Sequence, residues 1–166
     1  PESNYSFLIP IIMGLSFSLV GDCILMLEEV NYFIHGLIYF LTAHIFYIYA
    51  FALNYSFRFW NILLFGILGL FVYKFYNFLK KKIGKEDYSV LAYMIIIILM
   101  LFFATCQFNH GVTAKSKLLF WGALLFTLSD IILAINEFVV KIPNSSVLTW
   151  ALYGPAQFMI AYSCYY

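Results

Sequence analysis

Residues 7–27 read FLIPIIMGLSFSLVGDCILML, twenty-one residues that carry one charge, at Asp22. As a helix rising 1.5 Å per residue, such a run is long enough to cross the hydrocarbon core of a bilayer. Five more runs of this kind follow the first stretch, Phe7–Leu27: Phe33–Leu53, Trp60–Phe78, Val90–Phe108, Lys117–Asn136 and Leu148–Tyr166. Short polar links join them, including Glu28 and Glu29 at a membrane edge and a cluster at Lys80, Lys81, Lys82 and Lys85. The expected fold is all-α: one polytopic transmembrane helical bundle covering residues 1–166, with six visible spans.

Composition agrees. Of 166 residues, 64% are hydrophobic, 22% aromatic and only 10% charged, with a mean hydropathy of +0.92. A soluble domain is nearer half apolar and a quarter charged, so these values describe an integral membrane protein. A net charge of +1 gives no field to attract nucleic acid. Cys23, Cys106 and Cys164 fall within apolar runs, unpaired in spacing, and read as small core residues rather than a disulfide framework or a zinc site. The side on which the first, third and fifth runs end holds Lys74, Lys80, Lys81, Lys82, Lys85 and Lys141, against Arg58, Lys115 and Lys117 on the other, which predicts the lysine-rich side to be cytoplasmic.

The charges inside the spans carry the functional signal. An ionised carboxylate at the centre of a membrane helix costs roughly 2.5–3.5 kcal/mol on insertion scales, so such groups usually face a protein interior and mark function. Asp22 ends the stretch Gly14-Leu15-Ser16-Phe17-Ser18-Leu19-Val20-Gly21-Asp22, and Asp130 follows Gly122-Ala123 and Ser129. Counted from the helix ends, both lie roughly 8–9 Å beneath the same surface. Tyr153, entering from that side on the sixth run, reaches a similar depth. Two carboxyl groups in one dry layer suit acid/base chemistry, one protonated as the acid and its neighbour ionised as the base.

Around them, Gly14, Ser18, Gly21, Asp22 and Leu25 form one stripe at helical spacing, and Gly122, Phe126, Ser129, Asp130 and Leu133 form another. The plainer reading of each is a packing seam, since small residues let membrane helices approach closely. Ser129 has the further option of bonding back to its own helix. His44 and Tyr47 share a face with Gly36 and Phe40. His44 lies some 8 Å deeper than Asp22, either as a cavity floor, as an orienter of a carboxylate, or as a buried histidine held by a neighbouring carbonyl. Gln157, four residues beyond Tyr153, is a hydrogen-bonding group that needs a partner in such a setting. Gly154-Pro155 suggests a kink that opens space beside the site. No metal-ligand motif is present, and no GxSxG, HExxH or P-loop pattern appears.

Taken in order, Phe17-Ser18-Leu19-Val20-Gly21-Asp22-Cys23-Ile24-Leu25, Phe33-Ile34-His35-Gly36 with Phe40, His44 and Tyr47, Gly122-Ala123 with Phe126, Ser129, Asp130 and Leu133, and Tyr153 with Ala156-Gln157 make the chain resemble the YhhN-like lysoplasmalogenase family of membrane proteins. The resemblance covers nearly the whole chain. It implies hydrolysis of the vinyl-ether bond of lysoplasmalogens, single-chain ether phospholipids, to a fatty aldehyde and glycerophosphocholine or -ethanolamine. It also implies Asp22 and Asp130 as the catalytic pair, no metal or organic cofactor, and a multi-pass protein of the endoplasmic reticulum. Members have about eight spans, so the resemblance places two more, with a basic residue, upstream of Pro1. Two alternatives stand beside it. One is a non-catalytic structural subunit, partnered by other membrane protein subunits; the other is a proton-coupled transporter that uses the carboxylates as a relay.

Overall fold

The computed structural model describes residues 2–26, 32–53, 55–83 and 87–166. Glu28, Glu29 and Lys85 lie outside the described residues. Those described are all-helical: α1 (Glu2–Leu25), α2 (Tyr32–Ala52), α3 (Phe59–Ile83), α4 (Asp87–His110), α5 (Ala114–Phe138) and α6 (Ser145–Tyr162), with a short 3-10 turn at Ser163–Tyr165. The first five are long and apolar enough to cross a membrane. The protein is therefore an integral membrane protein, and its many exposed Phe, Leu, Ile and Trp side chains form a surface suited to lipid. α6, whose apolar run is diluted by Tyr153, Pro155 and Gln157, is not among the five.

Each helix begins ahead of its apolar run, and α3, α4 and α5 also end beyond theirs, because backbone hydrogen bonding continues into the polar flanks until a cap intervenes. α3 takes in Lys80, Lys81 and Lys82 as its last turn. α5 begins at Ala114, three residues before the expected Lys117, because Thr113 and Ser116 form a reciprocal capping box. The Thr113 side chain accepts from the Ser116 N–H at 3.1 Å, and the Ser116 side chain accepts from the Thr113 N–H at 2.9 Å. Ahead of α6, Asn144 adopts the left-handed conformation at φ 56°, which Asn tolerates better than most residues.

α1 packs on α2, α2 on α4, α4 on α5 and α5 on α6, and α6 returns to α1. These five close a ring; α3 lies outside it, against α4 and the flank of α5. Glycines decide how tightly α1 and α2 meet. A Cβ on Gly14 would stand 2.3 Å from the Tyr47 ring, and one on Gly21 would stand 2.8 Å from the Phe40 ring. In return, the space at Gly36 on α2 receives Leu25 of α1. Between α5 and α6, Gly122 makes the same allowance for Ile160 and the Ala156 carbonyl. At the end remote from Asp22, Arg58 donates to the Asn109 carbonyl and Gln107 to the Phe51 carbonyl, tying α2 and its following link to α4.

Two expectations change. Cys106 is buried, but Cys23 is exposed and Cys164 only half-buried, so the cysteines are not all core residues. α6 runs through Gly154 and Pro155 without interruption, and both are exposed on its outer side. Whatever bend Pro155 brings, this pair opens no space at the bundle interior.

Gly21→Ala forces a methyl group against Phe40 and is expected to destabilise the bundle by about 1–3 kcal/mol. Gly66→Ala, on the open outer face of α3, is expected to stay within about 0.5 kcal/mol of the parent. Reversible unfolding in mixed detergent micelles measures both.

Candidate functional site

Asp22 comes from α1, Tyr153 and Gln157 from α6, Tyr47 from α2, Tyr93 from α4 and Asp130 from α5. All five helices of the ring thus contribute to one polar layer. The Tyr47 hydroxyl donates to Gln157 Oε1 at 2.7 Å, Gln157 Nε2 donates to the Tyr153 hydroxyl at 2.9 Å, and that hydroxyl donates to Asp22 Oδ2 at 2.8 Å. Asp130 Oδ2 accepts from the Tyr93 hydroxyl. Each carboxyl group is therefore held through Oδ2 by one phenol. Neither Oδ1 has a hydrogen-bond partner among the described residues, so one oxygen of each carboxyl remains available.

Both aspartates line the same cavity, about 210 Å³ in volume, enclosed by α1, α2, α4, α5 and α6. Leu25, Leu37, Phe40 and Leu133 supply its apolar wall, and Asn136, Ser145, Ser146 and Thr149 its polar side. Asn136 Oδ1 also accepts the Ile142 N–H at 2.9 Å, which shapes the turn between α5 and α6. No lysine or arginine lines the cavity among the described residues. The donors offered to a polar ligand are neutral hydroxyl and amide groups.

Packing holds the layer in place. Phe40 meets Phe126 and Tyr153 edge-on, with ring centroids 6.3 and 6.0 Å apart, and Phe126 meets Tyr153 at 5.2 Å. Such edge-to-face pairs fix ring orientation as well as burying area. Trp150 closes on the other side of Tyr153 at 5.5 Å.

The expected residues divide into three groups. Asp22, Asp130, Ser129 and Tyr153 line the cavity. Tyr47 and Gln157 stand behind Tyr153 as its support. Ser18, Gly21 and His44 do not line the cavity and belong to the packing around it. Ser129 donates across to the Thr149 carbonyl of α6 at 3.2 Å instead of bonding back to its own helix. His44 is fully buried, with Nδ1–H donating to the Phe40 carbonyl at 2.6 Å. It neither floors the cavity nor touches an aspartate; the carbonyl-held alternative is the one observed. Its Nε2, left as an acceptor by that tautomer, has no partner. Ser18 is buried beside Tyr47, and its hydroxyl makes no well-formed hydrogen bond.

Sequence reasoning missed Tyr93. The signal was available: Tyr93 lies six residues into α4, which starts on the side where α1 and α5 end. At 1.5 Å per residue this is about 9 Å deep, the level already counted for Asp22 and Asp130. Asn136 was missed because a residue at the end of a run reads as a boundary marker.

The profile of the YhhN family matches residues 2–164. Lysoplasmalogenase TMEM86A of Homo sapiens is 31% identical over 160 residues, covering 92% of this chain and 64% of that protein. Lysoplasmalogenase TMEM86B of Sus scrofa is 34% identical over 147 residues, 88% of this chain and 59% of that protein. The lysoplasmalogenase homolog of Dictyostelium discoideum is 31% identical over 175 residues, 90% and 57% of the two chains. The chain thus spans between 57% and 64% of the length of these relatives. No solved structure matches it.

Gln157→Leu removes both the acceptor for Tyr47 and the donor to Tyr153, and is expected to cost about 1–3 kcal/mol of stability. Combined with Tyr47→Phe the two losses should be non-additive, with a coupling of about 0.5–3 kcal/mol. A double-mutant cycle read by unfolding in micelles gives that coupling.

Proposed function

Because the chain belongs to the YhhN family, we propose that it is a membrane hydrolase that cleaves the vinyl-ether bond of lysoplasmalogens, with Asp22 and Asp130 as its acid/base pair. The observation that carries this reading is the placement of two carboxyl groups, from α1 and α5, on one cavity within the membrane, each secured through one oxygen only. The names of the relatives supply the reaction class, and these two residues supply the groups that the reaction needs. A location in the endoplasmic reticulum membrane is part of the same reading.

The reaction is a redox-neutral hydrolysis. A carboxylic acid delivers its proton to the β-carbon of the vinyl ether, and the positive charge appears on the α-carbon and the ether oxygen as an oxocarbenium ion. The ionised partner carboxylate stabilises that cation and takes a proton from the water that attacks the α-carbon. The hemiacetal then breaks its bond to the glycerol oxygen, which leaves with a proton as the glycerophospho-alcohol while the chain departs as a fatty aldehyde. One water is consumed and no electrons change hands. Tyr153 and Tyr93 hold the carboxyl groups in orientation, so the free oxygens need little reorganisation during the reaction. Phosphate recognition falls to Asn136, Ser145, Ser146 and Thr149, the hydrogen-bonding side of the cavity.

Asp22→Asn and Asp130→Asn are each expected to reduce aldehyde release from lysoplasmalogen by about 10²–10⁴-fold, the usual contribution of a positioned acid or base. Tyr93→Phe leaves the carboxyl group in place but unanchored and should give a smaller loss. Aldehyde assays on purified, folded protein decide. Full activity in either Asn variant would overturn the assignment of the pair, and a parent protein without turnover that co-isolates stoichiometrically with other subunits would favour a structural role.

A further inference from the structure

A second cavity, about 50 Å³ in volume, lies between α3, α4 and α5, outside the ring of five helices. Phe71 and Phe75 of α3, Met94 and Ile98 of α4, and Ala134 and Phe138 of α5 line it. Its wall is apolar apart from Thr127, Tyr93 and Asp130. The Thr127 hydroxyl is engaged by the Ala123 carbonyl at 2.8 Å, so it offers nothing to a guest. Leu37, Tyr93, Asp130 and Leu133 line both this slot and the larger polar cavity. The two spaces therefore meet at the Tyr93–Asp130 pair, which has hydroxyl and amide groups on one side and hydrocarbon on the other.

A molecule that occupies both spaces must change from polar to apolar at Asp130. In a single-chain ether lipid that change falls at the ether linkage. We propose that the slot between α3, α4 and α5 receives the first carbons of the hydrocarbon chain, and that Met94, Ile98 and Ala134 decide which chains fit. The inference rests on the lysoplasmalogen reading above and adds to it a direction for the substrate: headgroup among the start of α6 and the end of α5, chain toward α3. The volume holds only a short length of chain. The remainder runs out past Phe71 of α3, a residue that is 40% exposed at the edge of the slot. Selectivity should therefore act on shape and branching near the ether rather than on total length.

The test uses the full chain in nanodiscs and a non-hydrolysable probe, a 1-alkyl lysophosphocholine with a diazirine on the third or fourth chain carbon. Photolabelling followed by peptide mapping is expected to mark residues around Met94, Ile98 and Ala134. Labels confined to α1, α6 or the outer surface would overturn the proposal. Ala134→Phe, which fills the slot, should remove that labelling and raise KM for long-chain lysoplasmalogen about tenfold relative to a two-carbon ethenyl-ether analogue that ends before the slot, with kcat little changed. Met94→Ala enlarges the slot and should shift preference toward chains branched beside the ether, which keeps the test decisive if Ala134→Phe does not fold. Equal effects on long-chain and ethenyl substrates would also overturn it. Failure of the hydrolase reading is seen separately, as absence of aldehyde from the parent protein, while the labelling pattern still reports on the slot.

Discussion

The rings of Tyr47 and Phe40 lie against the bare backbone of α1 at Gly14 and Gly21, closer than any side chain there would permit. In a membrane this contact has no hydrophobic drive behind it, because lipid tails are as apolar as the rings; close packing must supply the attraction. The seating fixes more than the α1–α2 pair. Tyr47, lodged beside Gly14, directs its hydroxyl at Gln157 of α6. Phe40, lodged beside Gly21, presents its ring edge-on to Phe126 and Tyr153. Two aromatic side chains on one helix thereby set the position of α6 relative to α1, and with it the position of the hydroxyl that holds Asp22.

Polar groups in such an interior are costly unless paired. Here they are paired almost throughout: two carboxyl groups, three phenols and an amide satisfy one another across five helices. Among the described residues, the exceptions with no contact to solvent are Ser18 Oγ and His44 Nε2, and both lie in the packing behind the site. The free oxygens of Asp22 and Asp130 differ in kind. They are not sealed in, because they belong to residues that line a cavity.

The helical, membrane-spanning character was legible because a long apolar run in lipid must close its backbone hydrogen bonds within itself, and only a helix does so. Depth was legible too: helices of constant rise turn residue counts into distances, and the counted level of Asp22, Asp130 and Tyr153 is one cavity and one hydrogen bond in the structure. Which helices touch was not legible. The four-residue spacing of Tyr153 and Gln157 shows that they share a face, but gives no sign that Asp22 on α1 and Tyr47 on α2 stand opposite it. α3 reads like its neighbours although only Asn61, Leu79 and Ile83 are buried along it, since a lipid-facing helix and a protein-facing one can be equally apolar. For His44 the sequence left three roles open, and which one holds depends on the same unseen neighbours. A histidine at mid-depth signals a polar need, and the nearest carbonyl of its own helix, at Phe40, meets it.

The amide of Gln157 gives the row from Tyr47 to Asp22 a one-way sense: it accepts on its oxygen and donates from its nitrogen. Hydroxyls and waters can pass protons along by exchanging donor and acceptor roles, but an amide would have to go through its imidic acid form. Gln157 therefore acts as an insulator set into a line of otherwise conductive groups. The row from Tyr47 to Asp22 therefore fixes the position of the carboxyl group without offering it a relay for protons.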